Sequence, residues 1–144
     1  MPRTLRGIFL QWGLQKMHDT LTAWAPRVLS ILRIVSVLLL AQHFTSKFLQ
    51  FPIVMNPPMF SLYWWAGVIE VVFGTLLLIG LFSRFAAFML SGHMAAVYFI
   101  AHAPKGFYPL TNGGEIAVLF CFIFFYMIFA GPGPWSVDAM RGKA

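Results

Sequence analysis

From Phe60 to Phe82 the chain runs for 23 residues with a single charge, Glu70, close to the middle. A hydrocarbon layer about 30 Å thick takes roughly 20 apolar residues of helix to cross. Inside such a layer every backbone amide must be paired within its own segment, so a run of this kind folds as a transmembrane helix. Three further apolar runs accompany it, at about 28–50, 85–103 and 115–130. Composition agrees, because only 10% of the 144 residues are charged, against about 25% in soluble domains. The reading is an all-α protein, a transmembrane four-helix bundle (residues 28–131) in a lipid bilayer.

The breaks between runs are marked by residues that cannot continue a helix. Pro52 and Asn56-Pro57-Pro58 separate the first and second spans, and Ser83-Arg84 alone separates the second and third, which predicts a tight hairpin. Pro104 to Gly114 separates the third and fourth, and Gly131-Pro132-Gly133-Pro134 ends the last. Residues 132–144 read as a tail. In residues 1–27, Leu5, Ile8, Phe9 and Trp12 recur at helical spacing among Arg3, Arg6, Gln11 and Gln15. That pattern predicts a short amphipathic helix on the membrane surface, and no cleaved signal peptide is expected.

The net charge of +6 does not point to nucleic acid, because the basic residues lie at the ends of apolar runs rather than in one patch. Arg3, Arg6, Lys16, Arg27, Arg84, Arg141 and Lys143 fall on one side if the spans alternate, and positive charge favours the cytoplasm. Both termini are therefore expected in the cytoplasm of a bacterial inner membrane, with loops 51–59 and 104–114 outside. The single cysteine, Cys121, excludes an internal disulfide and CxxC chemistry. The four histidines lack metal-ligand spacing, so no metal site is expected.

Glu70 is costly at mid-span, roughly 2.5–3.5 kcal/mol on insertion scales, and such a residue calls for a partner or a ligand. Arg33, Ser36, His43 and Lys47 fall within an arc of roughly 80° on the first span, one polar stripe expected to face the interior. Taken singly, Arg33 and Lys47 also fit as charges snorkelling to the two interfaces. His93 lies near mid-depth of the third span, where it can exchange a proton with Glu70; His102 lies on the opposite face. Tyr63, Gly67 and Gly74 share the Glu70 face. Small residues there and at Ala87, Ser91 and Ala95 suit close helix approach, and would permit a homo-oligomer. Glu115 fits as a first-turn helix charge, or as a partner for Lys47 or His43. The candidate catalytic pair is Glu70 and His93, with Arg33, His43, Lys47, Glu115 and Tyr63 as ligand-binding candidates.

The polar and glycine positions occur in a specific order. Arg33 is followed by His43-Phe44-Thr45-Ser46-Lys47, Glu70-Val71-Val72-Phe73-Gly74 and Leu77-Leu78-Ile79-Gly80-Leu81-Phe82-Ser83-Arg84. After these come His102, Gly106-Phe107, Gly114-Glu115, Gly131-Pro132-Gly133 and Ser136-Val137-Asp138. Across about 28–138 this resembles the DoxX family of small four-helix membrane proteins; the first 25 residues lie outside the resemblance. The resemblance implies a membrane redox setting, since one branch looks like the membrane subunit of a thiosulfate:quinone oxidoreductase and others are linked to oxidative and thiol stress or quinone detoxification. Carried over by position, it points to Arg33, His43, Lys47, Glu70 and Glu115.

Two functions are expected to compete. One is a quinone-interacting component of a membrane redox complex, with Glu70 and His93 handling the proton and electrons coming from a redox partner subunit or a soluble reductant. The other is a non-catalytic assembly or scaffold subunit, its charges paired as Arg33 with Glu70 or Lys47 with Glu115. A small proton-coupled carrier is a weaker third, because four short spans leave little room for alternating access.

Overall fold

The structure is a computed structural model that describes residues 3–143, with side chains described at 7 and 9–143. Six α-helices follow in order: α1 Arg3–Phe48, α2 Leu62–Ile79, α3 Ser83–Val97, α4 Pro109–Asn112, α5 Glu115–Ala130 and α6 Val137–Met140. No strand occurs among the described residues. Three helical segments, Phe9–Phe48, Leu62–Ile79 and Ser83–Lys105, are long and apolar enough to cross a membrane, and α5 is a shorter apolar helix. At 1.5 Å per residue α5 is only about 24 Å long.

The four long helices share one core. Val37 and Leu40 of α1, Leu77 of α2, Ala86, Ala87, Leu90 and Met94 of α3, and Phe120, Phe124 and Met127 of α5 pack together. Helix α3 lies against both α2 and α5, and α1 lies against α2. The alanines on α3 let its neighbours come close, as small residues do between membrane helices. Phe120 and Phe124 stack with ring planes 9° apart and fill the space the alanines leave.

Local chemistry sets the ends. Ser61 accepts from the Trp64 amide at 3.2 Å and opens α2. Gly80, at φ +73, closes it, its own N–H and that of Leu81 returning to the last-turn carbonyls of Leu76 and Leu77. The third span departs from the plain helix expected up to residue 103. Its last turns widen into a π-turn at Tyr98–His102 and then tighten into a 3-10 turn at Ala103–Lys105. Pro104 lacks the amide needed for a continuing α ladder.

Two expected boundaries are not breaks in the structure. Helix α1 continues without interruption from the N-terminal segment into the first span, through Pro26. One proline removes a single ladder bond, and regular helix on both sides carries the axis across it. The described part of the expected tail, residues 132–143, is not free either. Asp138 accepts from the amides of Phe82 at 3.0 Å and Ser83 at 2.8 Å, and donates its own amide to the Gly80 carbonyl at 2.8 Å. A carboxylate 55 residues along the chain thus caps α3.

Candidate functional site

Glu70 is 3% exposed, on the inner face of α2. Lys47, one residue before the end of α1, reaches it with Nζ at 2.9 Å from Oε1 and 2.8 Å from Oε2. From the other side His93 of α3 places Nε2 3.3 Å from Oε1. The three side chains are 4–6% exposed, so each of three helices brings one ionisable group to a nearly dry centre. Where Glu70 is ionised and Lys47 charged, the pair is neutral and His93 Nε2 carries the hydrogen that faces Oε1. A proton added to His93 then gives the centre one net positive charge.

The sequence supplies the room for this. A Cβ on Gly67, one turn before Glu70, would stand 2.7 Å from the Phe48 ring and 3.0 Å from the Lys47 side chain. The missing side chain lets Lys47 turn inward from the end of α1. Gly74, one turn after Glu70, clears nothing of this kind; a Cβ there would make ordinary contacts at 3.8 Å. Tyr63 lies over the third side of the ammonium, with its ring centroid 5.2 Å from Lys47 Nζ, within cation–π range. Two residues before His93, the Ser91 hydroxyl donates to the Cys121 carbonyl at 2.9 Å and ties α3 to α5.

The structure thus brings together Glu70, His93, Lys47 and Tyr63, and not the other candidates. His43 is exposed: it lies at the edge of the polar arc, about 40° past Lys47 around the helix, beyond the reach of α2. Glu115 is exposed in the first turn of α5 and forms no ion pair among the described residues. The expected Lys47–Glu115 pair is replaced by Lys47–Glu70.

Arg33 is buried but belongs to a second cluster. Fourteen residues before Lys47, it lies about 21 Å away along α1, so the expected Arg33–Glu70 pair does not form. Its guanidinium donates instead to the carbonyl of Trp135. Ser30 accepts from the Trp135 amide at 3.2 Å. The turn 131–136 folds under the bundle to reach both. A Cβ on Gly80 would overlap Arg33 and Ser136, so glycine is required there for space as well as for its positive φ. Arg33 Nε and Nη1 and the Ser83 hydroxyl are buried without partners among the described residues. Asp138, beside this cluster, is held below the ordinary carboxylate range: burial alone would raise it, and the hydrogen bonds from Ser83 and Phe82, with Arg141 nearby, outweigh that. Ser30, Trp135 and Asp138 carry this joint, which local sequence pattern does not reveal because its partners are 55 to 105 residues apart.

Among the described residues no group of three His, Cys, Asp or Glu side chains is arranged to hold a metal. The DoxX family pattern matches residues 28–103, a stretch that contains all three members of the buried triad. The chain belongs to the DoxX family. It is similar to a Haemophilus influenzae protein named "Uncharacterized protein", 44% identical over 130 residues that cover 83% of this chain and 95% of that one. No solved structure matches. The family and its apolar helices make this an integral membrane protein in contact with lipid. The DoxX match ends before α5 and the Asp138 joint.

Proposed function

We propose that this DoxX protein is a quinone-interacting component of a membrane redox complex, with the Lys47–Glu70–His93 centre as its proton-handling site. What carries the reading is His93 beside a paired carboxylate in a nearly dry interior. Such a histidine takes up a proton beside a carboxylate, leaving the centre with one net positive charge. Glu70 engages His93 Nε2–H and two of the three Lys47 donors, and the third side of the ammonium faces Tyr63, so a quinone oxygen would take its hydrogen bond from the Nδ1–H of a protonated His93. A quinone takes two electrons and two protons to become a quinol, the electrons coming from a partner subunit or soluble reductant. Within this chain Glu70 holds the charge of Lys47 and His93, and His93 moves the proton. We further propose a bacterial inner membrane location with both termini cytoplasmic, from the distribution of basic residues.

The test is quinone binding and quinone reduction by purified protein supplied with a chemical reductant, with and without Glu70→Gln and His93→Phe. Loss in both variants, with folding retained, supports the reading; unchanged behaviour overturns the role of the triad. A second reading is a non-catalytic assembly module. It is favoured by the completeness of the Lys47–Glu70 pair, in which both carboxylate oxygens are already engaged. It requires that no quinone raise the thermal stability of the wild-type protein.

A further inference from the structure

Helix α1 carries a second face that the bundle does not use. Leu10, Leu14, Met17, Leu21, Trp24, Val28, Ile31, Val35 and Leu38 follow one another at alternating steps of four and three residues. That is a heptad seam, sustained over four repeats without a polar residue at any a or d position. All nine side chains are between 44% and 63% exposed. They point away from the face on which Arg33, Val37, Leu40 and Lys47 meet the other helices.

The first half of the seam is what demands cover. Lipid chains cover Val28 to Leu38 as well as any protein would. Residues 10–24 precede the span, and α1 enters it without a break at Pro26. At 1.5 Å per residue these 15 residues leave roughly 22 Å of helix ahead of the first apolar run. A lone helix of that length gains most of its stability from packing of an apolar face, and here that face has nothing against it among the described residues.

We propose that a second copy of this chain covers it, the two α1 helices forming a parallel coiled coil that begins outside the membrane and continues into the first span. A shared bilayer orients both copies the same way, so their α1 helices are parallel and related by a twofold axis along the membrane normal. A period of 3.5 drifts about 20° per heptad around a straight helix, which a left-handed supercoil absorbs. The charge pattern fits the same geometry. Lys16 and Asp19 lie on the outer face, with Gln15 donating to Asp19 at 3.1 Å. The flanking e and g positions hold Gln11, His18, Ala25 and Leu32, and Gly13, Thr20, Arg27 and Ile34, so no like-charged pair meets across the seam. Pro26 falls at f, the position farthest from the partner, where its ring disturbs nothing.

Single cysteines test this in the full-length protein with Cys121→Ala, oxidised in native membranes. Leu14→Cys and Leu21→Cys are expected to give disulfide-linked species of twice the chain mass. Gln15→Cys and Asp19→Cys, on the outer face, are expected to stay unlinked. No linkage at 14 and 21 overturns the proposal in favour of a membrane-surface role, equal linkage at all four positions marks random collision, and a linked species of any other mass marks a different protein; each is a failure. Leu14→Glu with Leu21→Glu is expected to convert a dimer to a monomer in detergent, with the melting transition of the bundle retained. A dimer that survives this double variant also overturns it.

Discussion

The two buried charge clusters lie at opposite ends of the same bundle and are built differently. At one end, Lys47, Glu70 and His93 meet side chain to side chain, and every partner can change its protonation. At the other, Arg33 and Asp138 are met mainly by backbone: the Trp135 carbonyl for one, the Phe82 and Ser83 amides for the other. Backbone groups do not titrate, so the second cluster fixes a chain crossing. The first is built from side chains that carry exchangeable protons. A buried charge in a membrane bundle is therefore not by itself a sign of chemistry; the nature of its partners decides.

The sharpest way to break the comparison is to remove Glu70. Glu70→Ala leaves a buried ammonium unpaired and is expected to cost about 3–5 kcal/mol, read as a fall in melting temperature. Adding Lys47→Met to that variant should restore most of the loss; if it does not, the pair is not what holds α1 to α2. Asp138→Ala comes next, at about 2 kcal/mol, since two α3 amides lose a charged cap. Its loss should also appear as a pH effect. The folded pKa of Asp138 lies below the unfolded value, which is about 3.9. Its contribution is thus complete above that value and disappears as pH falls through the lower folded one. Melting curves from neutral pH downward should show an acid-side loss that Asp138→Asn reduces.

Smaller effects sharpen the picture. Gly67→Ala is expected to cost about 1 kcal/mol by crowding Phe48 and Lys47. Gly74→Ala, with room for its Cβ, should gain about 0.5–1 kcal/mol of helix stability. A reversed order in thermal melts would show that Lys47 does not depend on the gap. Smallest of all, His43→Ala and Glu115→Gln should stay within about 0.5 kcal/mol and leave quinone binding unchanged.

The parts that sequence made legible are those governed by local pattern. Helix α5 has the bounds its apolar run and flanking glycines require, Glu115–Ala130. Glu70 and His93 meet because depth along two antiparallel spans of a tight hairpin can be counted. The pairing of Lys47 with Glu70 escaped that logic, since it depends on a gap left by Gly67 on a different helix. His43 was misplaced because an arc on one helix does not say where the neighbouring helices end. The Arg33 and Asp138 joint was hidden for a third reason: its partners are backbone atoms, which every residue has.

Asp138 follows the amides it caps by 56 and 55 residues. On the ribosome, the α2–α3 hairpin is complete long before that carboxylate exists. Until residue 138 emerges, the first turn of α3 remains without its cap and Arg33 without the carbonyl of Trp135. The segment around Asp138 thus acts as a latch, and a chain cut short before it carries all four spans yet leaves the end of the bundle undone.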